Sequence, residues 1–152
     1  MSIIKDDLSF LNECMIEAKK SVDRGDHPFG ALLALDGKTL LKSGNEVNSR
    51  KDVTAHAELR LIQKAQKLFD DKTIAESTLY TSTEPCAMCA GAIYWAGIRK
   101  VVFGCSAQSL FEITGGGLHL SNETLFSYAP EETEVKSYEE KADFKQVHHD
   151  FW

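Results

Sequence analysis

Long apolar runs are missing from this chain of 152 residues. None approaches the roughly 20 residues that a membrane-crossing helix needs, and Met1-Ser2-Ile3-Ile4-Lys5-Asp6-Asp7 lacks the apolar centre of a secretory leader. Basic residues are in the minority: 17 Lys and Arg against 23 Asp and Glu leave a formal charge of −6, which repels polyanions unless the cations gather on one face. The expectation is a soluble cytoplasmic protein that binds a small molecule rather than nucleic acid. Internal repeats, linkers and low-complexity segments are also absent, so a single domain over residues 1–152 is expected. Its hydrophobic content of 43% is enough to build a core without staples. Cysteine is scarce, at four residues, and in a reducing compartment a close pair reads as metal or redox chemistry rather than a disulfide. Cys86 and Cys89 make such a pair, whereas Cys14 and Cys105 read as small buried apolar side chains.

Apolar residues at Leu8, Leu11, Met15, Ala18 and Val22 recur every three or four positions and predict an amphipathic helix, ended by Gly25-Asp26-His27-Pro28. Phe29 to Ala34 and Thr39 to Leu41 flank Asp36-Gly37, a pair suited to a type I′ hairpin turn, and the second strand runs out toward Asn45. Thr54 is the expected N-cap of a helix through Leu68. A short β-type run, Ser77 to Ser82, leads to Pro85, expected in the first turn of a helix through Ala96. Val101-Val102-Phe103 predicts a strand buried on both faces, and Val135 a last strand. The Gly115-Gly116-Gly117 triplet reads as a turn between two short helices, and Tyr138 to Trp152 as a polar, partly helical tail. Alternating helices and strands favour an α/β sandwich, a mixed sheet with helices on both sides.

Two short motifs carry chemistry: His56-Ala57-Glu58 and Pro85-Cys86-Ala87-Met88-Cys89. Cys86 and Cys89, three apart at a helix start, are neighbours on one face, where the helix dipole favours thiolate. With His56 they make three ligands for a metal and leave a fourth position open, the pattern of a catalytic zinc site. His56 and Glu58 would diverge by roughly 200° in mid-helix, so both must sit at the entry turn. Free of the metal, Glu58 can act as general base and then return protons to a ring nitrogen and to a leaving amine. The N–H of Ala57 is a possible donor to a substrate carbonyl, and Asn45 can read a ring amide. His27, His119, His148 and His149 read as surface or packing residues.

These motifs, together with Pro28-Phe29-Gly30-Ala31, Gly44-Asn45, Leu79-Tyr80-Thr81 and Gly91-Ala92-Ile93-Tyr94-Trp95, resemble the zinc-dependent nucleobase and nucleoside deaminases over residues 8–105. The small guanine deaminases, the fungal cytosine deaminases and the bacterial tRNA adenosine deaminases are all similar. The resemblance implies a three-layer α/β/α sandwich with a central five-stranded mixed sheet, a homodimer, and hydrolytic replacement of an exocyclic amine. It assigns zinc to His56, Cys86 and Cys89, the proton shuttle to Glu58 and a substrate contact to Asn45, with Phe29 and Trp95 as candidate pocket walls. After Gly104 the Asp and Gly-Ala-x-Gly-Ser stretch of the tRNA enzymes is replaced by Cys105-Ser106-Ala107-Gln108-Ser109, and the Gly-Phe-Asp-Asp segment of the guanine enzymes is missing. Asp150-Phe151-Trp152 is similar in character to the C-terminal segment that closes over the base in the fungal enzymes, which makes Trp152 a further candidate for substrate contact.

Overall fold

Side-chain alternation along the strands sorts the core into two layers. In a computed structural model, which describes residues 5–152, strands β1 (Gly30–Leu35), β2 (Lys38–Gly44), β3 (Thr78–Thr83), β4 (Lys100–Cys105) and β5 (Glu134–Ser137) form one sheet in the order β2-β1-β3-β4-β5. The first four residues of the expected domain lie outside the described residues. β1 is antiparallel to β2 and β3, whereas β3, β4 and β5 run parallel. The helices are α1 (Asp7–Asp23), α2 (Val47–Arg50), α3 (Ala57–Leu68), α4 (Asp71–Glu76), α5 (Ala87–Trp95), α6 (Ala107–Thr114), α7 (Asn122–Phe126) and α8 (Gln146–Phe151).

Ala31, Leu33, Leu79 and Val101 face one side of the sheet, under Ala57, Leu61, Ile62 and Ala65 of α3 and Ala90 and Ile93 of α5. Leu32, Ala34, Tyr80 and Val102 face the other, under Phe10, Leu11 and Cys14 of α1 and Phe144 from the C-terminal segment. The result is the expected three-layer α/β/α sandwich. The hairpin turn holds Asp36 and Gly37 both at positive φ, 53° and 73°, as a type I′ turn requires. Cys14 and Cys105 are buried and free.

The C-terminal segment departs from expectation. Its helix is present, but Phe144 and His148 are fully buried, so this mostly polar stretch closes the second core layer. Burying one Phe ring contributes about 2–3 kcal/mol, which outweighs the polar character of its exposed neighbours. Asp7, at the start of α1, accepts hydrogen bonds from the hydroxyls of Tyr80 at 2.5 Å and Tyr138 at 2.6 Å, tying the first helix to the sheet and to the final segment.

Candidate metal and active site

Both motifs sit at helix entries, and each helix begins two residues later than the sequence suggests. His56, not Thr54, occupies the N-cap position of α3, with extended backbone (φ −69°, ψ 154°). Thr54 lies in the turn before that cap, where its hydroxyl and its N–H both donate to Asp52, at 2.6 and 2.8 Å. The second helix begins at Ala87 with Cys86 as N-cap, so Pro85 precedes the helix rather than opening its first turn. Cys89 is then the third helical residue. Each shift has a use: an N-cap residue leaves the helical path, and its side chain is freed to turn across the helix end.

His56 Nδ1 lies 3.5 Å from Cys86 Sγ and 3.5 Å from Cys89 Sγ. The three ligand atoms all fall within 4.8 Å of one another. A tetrahedral zinc with the usual bond lengths separates a nitrogen and a sulfur ligand by about 3.6 Å, so the cluster already has the spacing of that ion's coordination shell. His56, Cys86 and Cys89 are thus the residues that would hold zinc, through Nδ1 and the two sulfurs. Cys86 is drawn down to about 4, first by the hydrogen bond from the Cys89 thiol and then by His56, against the opposing cost of burial. Cys89 moves far upward, as the donor of that bond and as a buried group. His56 is raised, chiefly by its bond with Cys86. These shared protons are what a divalent cation displaces.

Glu58 is the second residue of α3 and is 5% exposed. Burial lifts its carboxyl to about 7; the negative charge of Cys86 adds to the rise and His56 opposes it. A carboxyl with a pKa near neutrality can both take and return a proton in the physiological range. Ala57 opens α3, so its N–H has no partner within the helix, as expected of a donor there.

His56, Glu58 and Cys86 line a cavity of about 420 Å³ whose other walls include Phe29, Val53, Met88, Leu110, Phe111, Leu118 and His119. Lysine and arginine are absent from this lining among the described residues. Phe29 is therefore where the sequence places it. Trp95 is not: Cys89, Ala90 and Ile93 turn inward, and Trp95, two residues beyond Ile93, lies on the outer side of α5, 84% exposed. Trp152 also stays outside the cavity within this chain. Its indole N–H donates to His148 Nδ1 at 3.1 Å, and its ring lies 5.4 Å from that of His27. Asn45 is buried beside the cavity rather than among its lining residues; its Oδ1 accepts from the N–H of Val47 at 3.0 Å and of His27 at 3.4 Å.

Sequence reasoning missed three contributors. Glu84 reaches the cavity and binds two helix starts, and an acidic residue just before Pro85-Cys86 was the available signal. His119 stacks on Phe111, with ring centroids 4.9 Å apart and planes at 8°. His148 packs behind Phe29, with ring centroids 5.3 Å apart, and bonds Thr83 Oγ1 at 2.7 Å. For His119 and His148 no local pattern marked them out.

Comparison with known proteins agrees with this geometry. Residues 4–105 match the family model described as the cytidine and deoxycytidylate deaminase zinc-binding region. A probable cytosine deaminase from Schizosaccharomyces pombe is 41% identical over 108 residues, 71% of this chain and 65% of that protein. A tRNA-specific adenosine deaminase from Agrobacterium fabrum is 39% identical over 95 residues, 62% of each chain. The chain thus spans a little under two thirds of the length of these relatives. The X-ray structure of guanine deaminase from Bacillus subtilis superposes with a TM-score of 0.63 at 31% identity, covering 83% of this chain and 78% of that one. With the family model spanning both motifs and the three ligands converged, the chain belongs to the cytidine and deoxycytidylate deaminase zinc-binding family.

Proposed function

We propose that this protein hydrolytically deaminates a free, planar amino-heterocycle of the guanine, cytosine or isocytosine type and releases ammonia. The observation that carries this reading is the cavity itself: small, largely apolar, flanked by Phe29, Phe111 and His119, and without a cationic side chain to hold a phosphate backbone. Among the described residues, none of the basic residues that could hold RNA lines the cavity, although Arg50 and Lys51 are close in sequence to Val53, which does. Arg99 and Lys100 sit at the start of β4, whereas the cavity lies beyond the ends of β3 and β4, and Arg50 and Arg99 are paired with Glu46 and Glu131.

Zinc bound by three protein ligands supplies Lewis acidity that makes water a nucleophile at neutral pH. The chain's own groups do the rest. The Glu58 carboxyl, near neutrality in its proton affinity, removes a proton from the attacking water and passes it to a ring nitrogen, then takes the second proton from the newly added hydroxyl as that becomes a carbonyl and gives it to the amine, which leaves as ammonia. The N–H of Ala57 orients a carbonyl edge of the ring and Phe29 holds one face, while Asn45, outside the lining, fixes the backbone of His27 and Val47 through its Oδ1. A cytoplasmic location and a homodimer belong to the same reading: free thiols kept for zinc suit a reducing compartment, and exposed Met88 and Trp95 on α5 offer an apolar patch to a second copy.

The test is an ammonia-release screen of zinc-loaded protein across guanine, cytosine, isocytosine, their nucleosides, adenosine and tRNA. Turnover of free bases is expected, with Glu58→Gln retaining zinc and losing at least ~10²-fold in rate. Turnover of tRNA or nucleosides alone would reject the free-base reading, and an unaffected Glu58→Gln variant would reject the proton role.

A further inference from the structure

We propose that Glu84 is a positioning residue for substrate selection, setting the distance between the zinc-ligand loop and one whole wall of the cavity. The wall is the segment from the start of α6 to the start of α7, which supplies Leu110, Phe111, Leu118 and His119 to the lining. One Glu84 oxygen accepts from the N–H of Ala107 at 2.9 Å and the other from the N–H of Asn122 at 2.7 Å. These are the first residues of α6 and α7, so one carboxylate grips both ends of the segment. The tie is returned by Asn122, whose side-chain amide donates to the carbonyl of Pro85 at 2.7 Å, and Glu84 itself is fixed by its N–H bonded to Cys105 O at 2.7 Å. Cys86, a zinc ligand, is two residues along.

Between its fixed ends Leu110 packs against the second core layer, whereas the turn beyond α6 is held by local bonds of its own, such as those between Thr114 and Gly116. Its middle is Gly115-Gly116-Gly117, with Gly115 and Gly117 at φ 72° and 97° and open space around all three. The parallel stack of Phe111 on His119 bridges that glycine turn at the cavity. Where the two rings stand relative to the zinc ligands therefore depends on the two hydrogen bonds at Glu84. Selection between a one-ring and a two-ring base depends on the same spacing. A hydrogen bond to a charged carboxylate is about twice as strong as a neutral one, so Glu84→Gln, which offers one acceptor and turns a donor against the other N–H, releases one end.

The inference rests on the deaminase reading above for what fills the cavity, and its test separates the two. Amide exchange is measured in the zinc-loaded wild type and Glu84→Gln, with Glu84→Ala as the stronger perturbation. Affinities for guanine and cytosine are measured in the non-turnover Glu58→Gln background with and without Glu84→Gln, and KM and kcat in the active proteins. Exchange at Ala107 or Asn122 and across residues 115–119 should rise at least ~10-fold while α3 is unchanged, because a charge-assisted bond is lost. The affinity ratio between the two bases should change by at least ~10-fold, with KM following it, zinc content equal and kcat within about 3-fold. Unchanged exchange, an unchanged affinity ratio, or a fall in kcat at constant KM would each overturn the role given to Glu84. A wild type that turns over neither base while the Glu58→Gln protein binds them defeats only the catalytic reading. Binding of neither base defeats both.

Discussion

Replacing His148 with Gln should remove an acid sensitivity that the fold has built into its C-terminal helix. His148 is 0% exposed, and burial holds its imidazole down at about 4, with the neighbouring His149 adding slightly. Its tautomer follows from its partners. The Trp152 indole can only donate, so Nδ1 accepts and the proton resides on Nε2, which donates to Thr83 Oγ1. A second proton would set N–H against N–H at Trp152. In the unfolded chain the same histidine titrates near its ordinary value of about 6.5. Above that value both states are neutral and nothing is gained or lost. Below it the unfolded chain takes up a proton that the folded chain refuses until about pH 4, so stability falls as pH drops through this window. The loss is about 2 kcal/mol by about pH 5 and levels off near 3 kcal/mol. Glu58, raised to about 7, acts with the opposite sign over much of the same range, so the raw curve of the wild type mixes the two. The difference between wild type and His148→Gln cancels Glu58. Urea unfolding of both zinc-loaded proteins at about pH 7.5 and about pH 5 is the assay, and the gap between them should shrink by about 2 kcal/mol on acidification. A gap that stays constant would refute the reasoning, since it would mean that His148 is protonated or hydrated in the folded protein.

Phe144, 1% exposed against Tyr80 and Val102, should cost about 3–5 kcal/mol when cut to Ala; a loss under about 1 kcal/mol in the same denaturation assay would return the C-terminal segment to the surface. Cys86→Ser should lower zinc content and thermal stability together, and chelation of the wild type should reproduce both, read by elemental analysis and a melting curve. Equal melting temperatures with and without metal would argue that the entry turns of α3 and α5 hold themselves in place.

Much of this molecule follows from short-range pattern. The three- and four-residue spacing in α1, the Asp36-Gly37 turn and the unbroken apolar run in β4 are local facts, and local facts survive translation into structure because neighbouring residues share one backbone path. The zinc ligands were legible for a related reason. Only a few residue types bind zinc, and two motifs at helix entries leave few ways to bring them together. Thr54 misled because it belongs to a turn closed on Asp52 and the helix starts only after His56, a choice made by a turn and not by propensity. Trp95 misled because an aromatic next to a motif need not share its face.

By itself the sequence determined the layers and the zinc-type metal site, since these depend on residue type and spacing along one stretch of chain. Tertiary structure alone decided who lines the cavity. Glu84 meets Ala107 and Asn122 across 23 and 38 residues of chain, His119 finds Phe111 beyond a glycine turn, and His148 reaches Thr83 from 65 residues away. Such contacts form where folded elements happen to converge, and no periodicity in one segment records the position of another.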